Sequence, residues 1–363
     1  MKVTPTEITS IINPTELLTA TTEAITAEAI DKIIATLPVV PEGEYRFNEE
    51  DPSHGWQPGK LHWYPVGGLL GNQANIKHAG SAVNPIGERV VNAFEALIEL
   101  ERQKELIADP AAVAPKSPRD AVRRYFDLPP LDELPDYTEL IRGMKPDQYL
   151  RQLANRVQVS LRQQARGKEY TVIIEDDGIG QRADRIHKSL LSLGASDKPD
   201  KPYLIGMFGQ GGSSSFHACE CSWLMSRRAS ELPDHQGGGV GWTLIKRFKP
   251  PQRRTFEYWA YLAAAPDGRV PTLPEHAADA VQFGRGVRFG HIGYKFESSD
   301  QAFRLFNSLN HLLFNPVLPY YLLTKKGEKK DRMAGNSYRL SDLELAGPGK
   351  RKDADIRLDN IPV

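Results

Sequence analysis

Glu88, Asn92 and Glu95 stand at i, i+4 and i+7 of a strongly periodic stretch. On a helix they project from one face while Val90, Ala93, Leu97 and Leu100 line another, leaving one face apolar and one able to hold a ligand. A solvated polar face has the same spacing. In a second stretch, Thr171 to Ile174 are β-favouring and lead through Glu175 into Asp176-Asp177-Gly178-Ile179-Gly180. An acid thus ends a buried strand, and two glycines let the chain turn sharply. An Asp-Gly hairpin turn is the alternative there, although the residues after Gly180 read as a helix. The third stretch, Ile205 to Phe216, gathers Gly206, Phe208, Gly209, Gln210, Gly211, Gly212 and Ser213 ahead of a helix start. Glycines so placed leave backbone N–H groups free to face phosphate oxygens, with the helix terminus adding positive potential. The Gly-Lys-Ser/Thr ending of a P-loop is absent, and a loop with serine caps is the plainer reading.

These stretches need a scaffold, and hydrophobic periodicity supplies one. Residues 1–60 read as an N-terminal arm with a helix from Thr15 to Leu37. A Gly/Asn-rich loop, Gly67 to Gly80, precedes the first helix, and Pro85 suits its first turn. Residues 102–168 read as a helical insertion whose last helix begins at Pro146 and runs to a basic end near Lys168. A strand at Tyr170–Glu175 and a helix at Asp184–Leu193 follow. Strands are predicted at Cys221–Ser226, Gly241–Phe248, Thr255–Ala263, Gly286–Tyr294 and Tyr320–Thr324, with a helix from Asp300 to Phe314. From Lys325 the chain reads as a charged tail or the start of a further domain.

Taken in order, E-x-x-x-N-A-x-E-A, D-x-G-x-G and G-x-F-G-x-G-G-S resemble the motifs of the GHKL superfamily, named for gyrase, the ninety-kilodalton heat-shock chaperone, histidine kinases and the mismatch-repair protein MutL. The resemblance covers roughly residues 80–325 and lies closer to the chaperone, MutL and MORC-like branches than to histidine kinases. It implies an α/β (α+β) two-layer sandwich of Bergerat type, with helices on one face of a mixed, largely antiparallel sheet, over residues 61–325. It also implies ATP and Mg2+ as ligands. By matching positions, Glu88 orients or deprotonates the attacking water, Asn92 ligates Mg2+, and Asp176 accepts the adenine amino group. Glu95, Gly178 and Gly180 belong to the same motifs. Gly209 to Gly212 fold over the phosphates, and Lys198 is a candidate phosphate contact. The fourth motif departs from the pattern, because Arg285 stands where a threonine is expected. The lysine that a downstream domain supplies in gyrase and MutL relatives is also without a match.

The implied activity is Mg-dependent ATP hydrolysis that drives lid closure and dimerisation within a larger assembly, whether chaperone-like or DNA-linked, prokaryotic defence included. A non-catalytic ATP-sensing scaffold is the alternative. The 363 residues carry 46 basic and 46 acidic side chains, so no global positive field favours autonomous nucleic-acid binding, which is expected only through a partner. Two cysteines, Cys219 and Cys221, suit a reducing compartment. With no membrane-length apolar run and no secretory segment, the expected location is cytoplasmic. Cys219, Cys221, His217 and Glu220 could be drawn as a metal cluster, but their spacing favours packing.

Overall fold

The computed structural model describes residues 13–41, 44–76, 80–163, 170–193, 200–205, 211–235, 238–249, 257–297, 304–324 and 329–341. Ten strands form one sheet: β1 (His62–Pro65), β2 (Val157–Gln163), β3 (Tyr170–Asp176), β4 (Cys221–Arg227), β5 (Val240–Phe248), β6 (Tyr258–Ala263), β7 (Thr272–Leu273), β8 (Gly286–Tyr294), β9 (Tyr320–Thr324) and β10 (Lys329–Met333). Their order is β1-β6-β5-β4-β8-β3-β2-β9-β10, with β7 paired to the end of β5. Among the described strands the one parallel pairing is β2 with β9.

The described α-helices are α1 (Pro14–Glu23), α2 (Ala27–Thr36), α3 (Asn84–Ala108), α4 (Pro118–Phe126), α5 (Pro146–Ala154), α6 (Glu275–Asp279), α7 (Leu305–Leu312) and α8 (Gly335–Ser341). None is long and apolar enough to cross a membrane. The chain is therefore mixed α/β with a large, mostly antiparallel sheet, as the sequence predicts.

Helices cover both faces of that sheet, which corrects the expectation of a single helical face. Alternation along the strands divides the core in two. Val172 and Ile174 of β3, Leu224 of β4 and Ile245 of β5 pack with Val90, Phe94 and Leu97 of α3 on the front. Ile173, Trp223, Trp242 and Leu244 pack with Leu18, Ile30 and Ala277 on the back. Strands buried on two sides must be apolar at successive positions, and β4 is buried along its whole length.

The back layer is also where the predicted helix from Thr15 to Leu37 divides. The Thr26 hydroxyl accepts the N–H of Ala29 at 3.0 Å and starts α2 afresh. Polar contacts then pin the pair: Trp242 Nε1 donates to the Thr21 hydroxyl at 3.1 Å, and the Thr171 hydroxyl donates to the Ile25 carbonyl at 3.0 Å.

Three further expectations are overturned. The predicted helix from Pro146 to Lys168 stops at Ala154, and Val157, Val159 and Leu161 bury alternate positions of β2 between β3 and β9. The period of two in V-Q-V-S-L, with β-branched residues, outweighs the helical reading once neighbouring strands are present. The predicted helix from Asp184 is instead a short 3-10 turn, Ala183–Lys188. Its Ile186 and Ala183 press against Gly241, where a Cβ would meet Ile186 at 2.3 Å. Residues 329–341 of the predicted tail return to the sheet as β10 and α8, burying Met333 and Tyr338 in the front core.

Candidate functional site

α3 organises the site. Pro85 occupies its first turn, and the helix runs for 25 residues with Ile86, Val90, Ala93, Phe94, Leu97 and Ile98 facing the sheet. Along its other side run Glu88, Asn92, Glu95 and Glu99. Glu88 is exposed and Asn92 half-buried. Glu95 is only 4% exposed, and its carboxylate accepts the backbone N–H of Ile205 at 2.8 Å. Glu99 pairs with Lys201 at 2.9 Å and accepts the Tyr203 hydroxyl at 3.0 Å. The row thus holds residues 201–205, the approach to the glycine-rich stretch. Glu99, Lys201 and Tyr203 were not among the sequence candidates. Glu99 alone carried a signal, the polar row itself, which continues one turn beyond Glu95.

The second stretch reaches α3 through its backbone. Ile179 donates its N–H to the Ala96 carbonyl at 3.0 Å, and a Cβ on Gly178 would lie 2.6 Å from that of Ala96. Gly180 adopts φ +59°, and a Cβ there would fall 1.9 Å from the Arg227 carbonyl oxygen. Gly286 of β8, at φ +91°, leaves the same kind of room for the Asp176 carbonyl. Glycine is required at both positions for conformation and for space.

Asp176 closes its own turn by accepting the Gly178 N–H at 2.9 Å. Burial pushes its carboxyl up to about 7, and the charges of Asp177 and Glu175 push the same way, while the N–H groups of Gly178 and Val287 draw it back. The Asp-Gly hairpin alternative does not hold. After Gly180 the chain passes to the Ala183–Lys188 turn, and β3 pairs with β2 and β8.

Of the third stretch, Gly206, Phe208, Gly209 and Gln210 lie outside the described residues, as does Lys198. Gly211 and Gly212 open a 3-10 helix, Gly211–Ala218, that carries buried Ser213, Ser214 and Ser215. Ser215 meets Arg89 of α3, and His217 Nε2 donates to the Ile76 carbonyl at 2.9 Å, tying the Gly67–Gly80 loop to this helix. A further anchor of the loop is Asn72, whose amide donates to the carbonyls of Val66 and Trp259.

Arg285 stands behind the Asp176 turn. Its Nε donates to the Asp177 carbonyl at 2.8 Å, and its guanidinium pairs with Glu231. A cavity of about 450 Å3 opens here, lined among others by Arg156, Glu175, Asp176, Asp177, Arg285 and Arg288. Glu88, Asn92 and Glu95 do not border it. Gln158, Glu175 and Arg288 lie in register across β2, β3 and β8, one residue out of phase with front-facing Val159, Ile174 and Phe289. Asp176, by contrast, is in phase with Ile174, and Arg156 reaches Glu101 of α3, so the cavity lies at the end of these strands and opens mainly on the side away from α3.

Among the described residues no three His, Cys, Asp or Glu side chains converge as a metal cluster. Cys219 and Cys221 are free thiols, both buried, Cys219 in the front core and Cys221 in the back. No family model and no curated protein matches the chain, which leaves its own residues as the ground for any assignment of function.

Proposed function

We propose that the chain binds ATP with Mg2+ between α3 and the glycine-rich stretch leading into residues 211–218, in a Bergerat-type site of the GHKL class, and hydrolyses it to drive lid closure in a dimer or larger assembly. The supporting observation is the junction at α3. Within about two helical turns, Arg89 meets Ser215, Glu95 accepts the Ile205 N–H, and Ala96 accepts the Ile179 N–H. Two stretches far apart in sequence thereby meet on the helix that forms the first.

The donor set fits the cation. Asn92 brings an amide oxygen, the hard kind of ligand that magnesium takes while keeping several waters, with Glu88 one turn earlier on the same helix. Bound there, the ion would neutralise phosphate charge. Asn92 would offer it a carbonyl, and Glu88, exposed one turn earlier, would accept a proton from water directed at the terminal phosphate. Glu95 holds the run into the lid. By the resemblance, Gly209 to Gly212 would fold over the phosphates with backbone N–H groups, assisted by Lys198; of these, Gly211 and Gly212 lie among the described residues. Asp176 accepts the adenine amino group from the turn that Gly178, Gly180 and Arg285 shape. Positioning is most of what phosphoryl transfer asks of a protein.

Titration of the purified chain with ATP should give saturable binding that requires Mg2+. Glu88→Ala should keep that affinity within about threefold and lower phosphate release by about 100-fold or more, the scale of a general base. Binding that is absent or indifferent to metal refutes the reading; turnover that survives Glu88→Ala refutes the role of Glu88. The Arg285 departure favours a second reading, an ATP-sensing scaffold, which would bind ATP but release no phosphate with or without partners.

A further inference from the structure

Arg89 follows Glu88 directly but points about 100° around the helix, into the front core, where it is 6% exposed. Its guanidinium carbon sits 3.7 Å from the centre of the Phe289 ring, with Phe216 on a second side at 5.8 Å. Nε and Nη2 both donate to the Ser215 hydroxyl, at 3.4 and 3.1 Å. Among the described residues no carboxylate pairs with it, and nearby His291 is held neutral by burial and by the arginine's own charge. Burial lowers the guanidinium to about 9. A charge buried against one neutral hydroxyl is a costly way to join two elements that a methionine would pack as well.

We propose that Arg89 is a positioning residue for ATP hydrolysis: by clamping Ser215 it sets the gap between the Glu88 carboxylate on α3 and the backbone of residues 211–218. The inference rests on the ATPase reading above. α3 is a rigid helix, so Arg89 and Glu88 move together. Ser215 lies on the same short 3-10 helix as Gly211 and Gly212, so a shift of those two glycines reaches Arg89 within about one turn. The planar guanidinium offers two N–H groups to one oxygen in a fixed fork, and a lysine ammonium does not.

The test compares the full-length wild type with Arg89→Met, Arg89→Lys and Ser215→Ala, reading MgATP affinity, phosphate release and amide hydrogen exchange of residues 211–218 with and without MgATP. In the wild type MgATP should slow exchange there. Arg89→Met should bind MgATP within about threefold of wild type yet lose that protection and about tenfold in kcat, the effect of about 1.4 kcal/mol in the transition state. Arg89→Lys should resemble Arg89→Met, and Ser215→Ala, which keeps the arginine, should show the same loss of kcat and carries the test should Arg89→Met fail to fold. If affinity and kcat fall together while MgATP still protects residues 211–218, Arg89 only packs and the proposal is wrong. If wild type takes up no MgATP, the ATPase reading fails first, and the clamp with it.

Discussion

Replacing Asp176 by asparagine should stabilise the protein at alkaline pH and leave it little changed in acid. The carboxyl rises from an ordinary 3.8 to about 7 because burial penalises its charge. At about 1.36 kcal/mol per pH unit, a rise of that size withholds on the order of 4 kcal/mol of stability once the group is ionised in both folded and unfolded chains. The sign follows from proton counting: between about pH 4 and 7 the folded state holds the proton that the unfolded state has released, so stability falls as pH rises through that window. Asparagine has no charge to bury and keeps an oxygen for the Gly178 N–H. His62, pushed down to about 4, and His187, also lowered by burial, act in the opposite direction, losing stability as pH falls. They are common to both proteins and cancel in the difference. Urea unfolding at half-unit steps from pH 4 to 8.5 should give an Asp176→Asn minus wild-type difference that grows with pH and levels off above about 7, at up to ~4 kcal/mol. A difference that is flat across the range would refute the burial argument. One that grows in the acid direction would mean that hydrogen bonds to the ionised carboxylate outweigh its desolvation. Since the same carboxyl is the proposed adenine acceptor, the stabilised variant should also bind ATP more weakly, the trade expected of a group held in an unfavourable state for function.

Two further changes probe the frame around the site. Leu18→Ala removes a fully buried side chain of the back layer and should cost about 2–5 kcal/mol in urea unfolding; a loss below 1 kcal/mol would mean that α1 is not held against the sheet. Gly180→Ala forces a Cβ to within 1.9 Å of the Arg227 carbonyl at a left-handed φ, and should destabilise by at least ~2 kcal/mol. Wild-type stability in that variant would show that the turn after Asp176 yields readily.

Much of the sheet was legible because its strands signal locally. The predicted Gly286–Tyr294 and Tyr320–Thr324 match β8 and β9 residue for residue, each a β-branched or aromatic run bounded by turn residues. β2 was misread because Val157 to Gln163 follows a true helix, and only pairing with β3 and β9 on its two sides fixes the extended form. The back layer was hidden for a related reason. An amphipathic helix shows that it has an apolar face and not which surface receives it, and the receiving tryptophans, Trp223 and Trp242, lie two hundred or so residues downstream. At the site, the α3 row and the glycines at 178 and 180 were visible as types at fixed spacing. Arg89 was not singled out, since nothing in E-R-V-V-N says that the arginine turns inward to a serine beyond the glycine-rich stretch. Lys201 and Tyr203 were passed over because their partner, Glu99, is found only by folding.

The parallel pairing of β2 with β9 bears on how the chain is made. Gln158 is joined to Tyr321 and Ser160 to Leu323, so one margin of the central sheet stays open throughout synthesis until the β9–β10 hairpin emerges from the ribosome. Loop-closure entropy makes such distant pairing slow, and an open strand margin invites the wrong neighbour. Chains stalled or cut ahead of residue 320 should therefore clump rather than persist as smaller folded units, and a growing polypeptide of this kind gains most from a chaperone in the interval just before the β9–β10 pair docks.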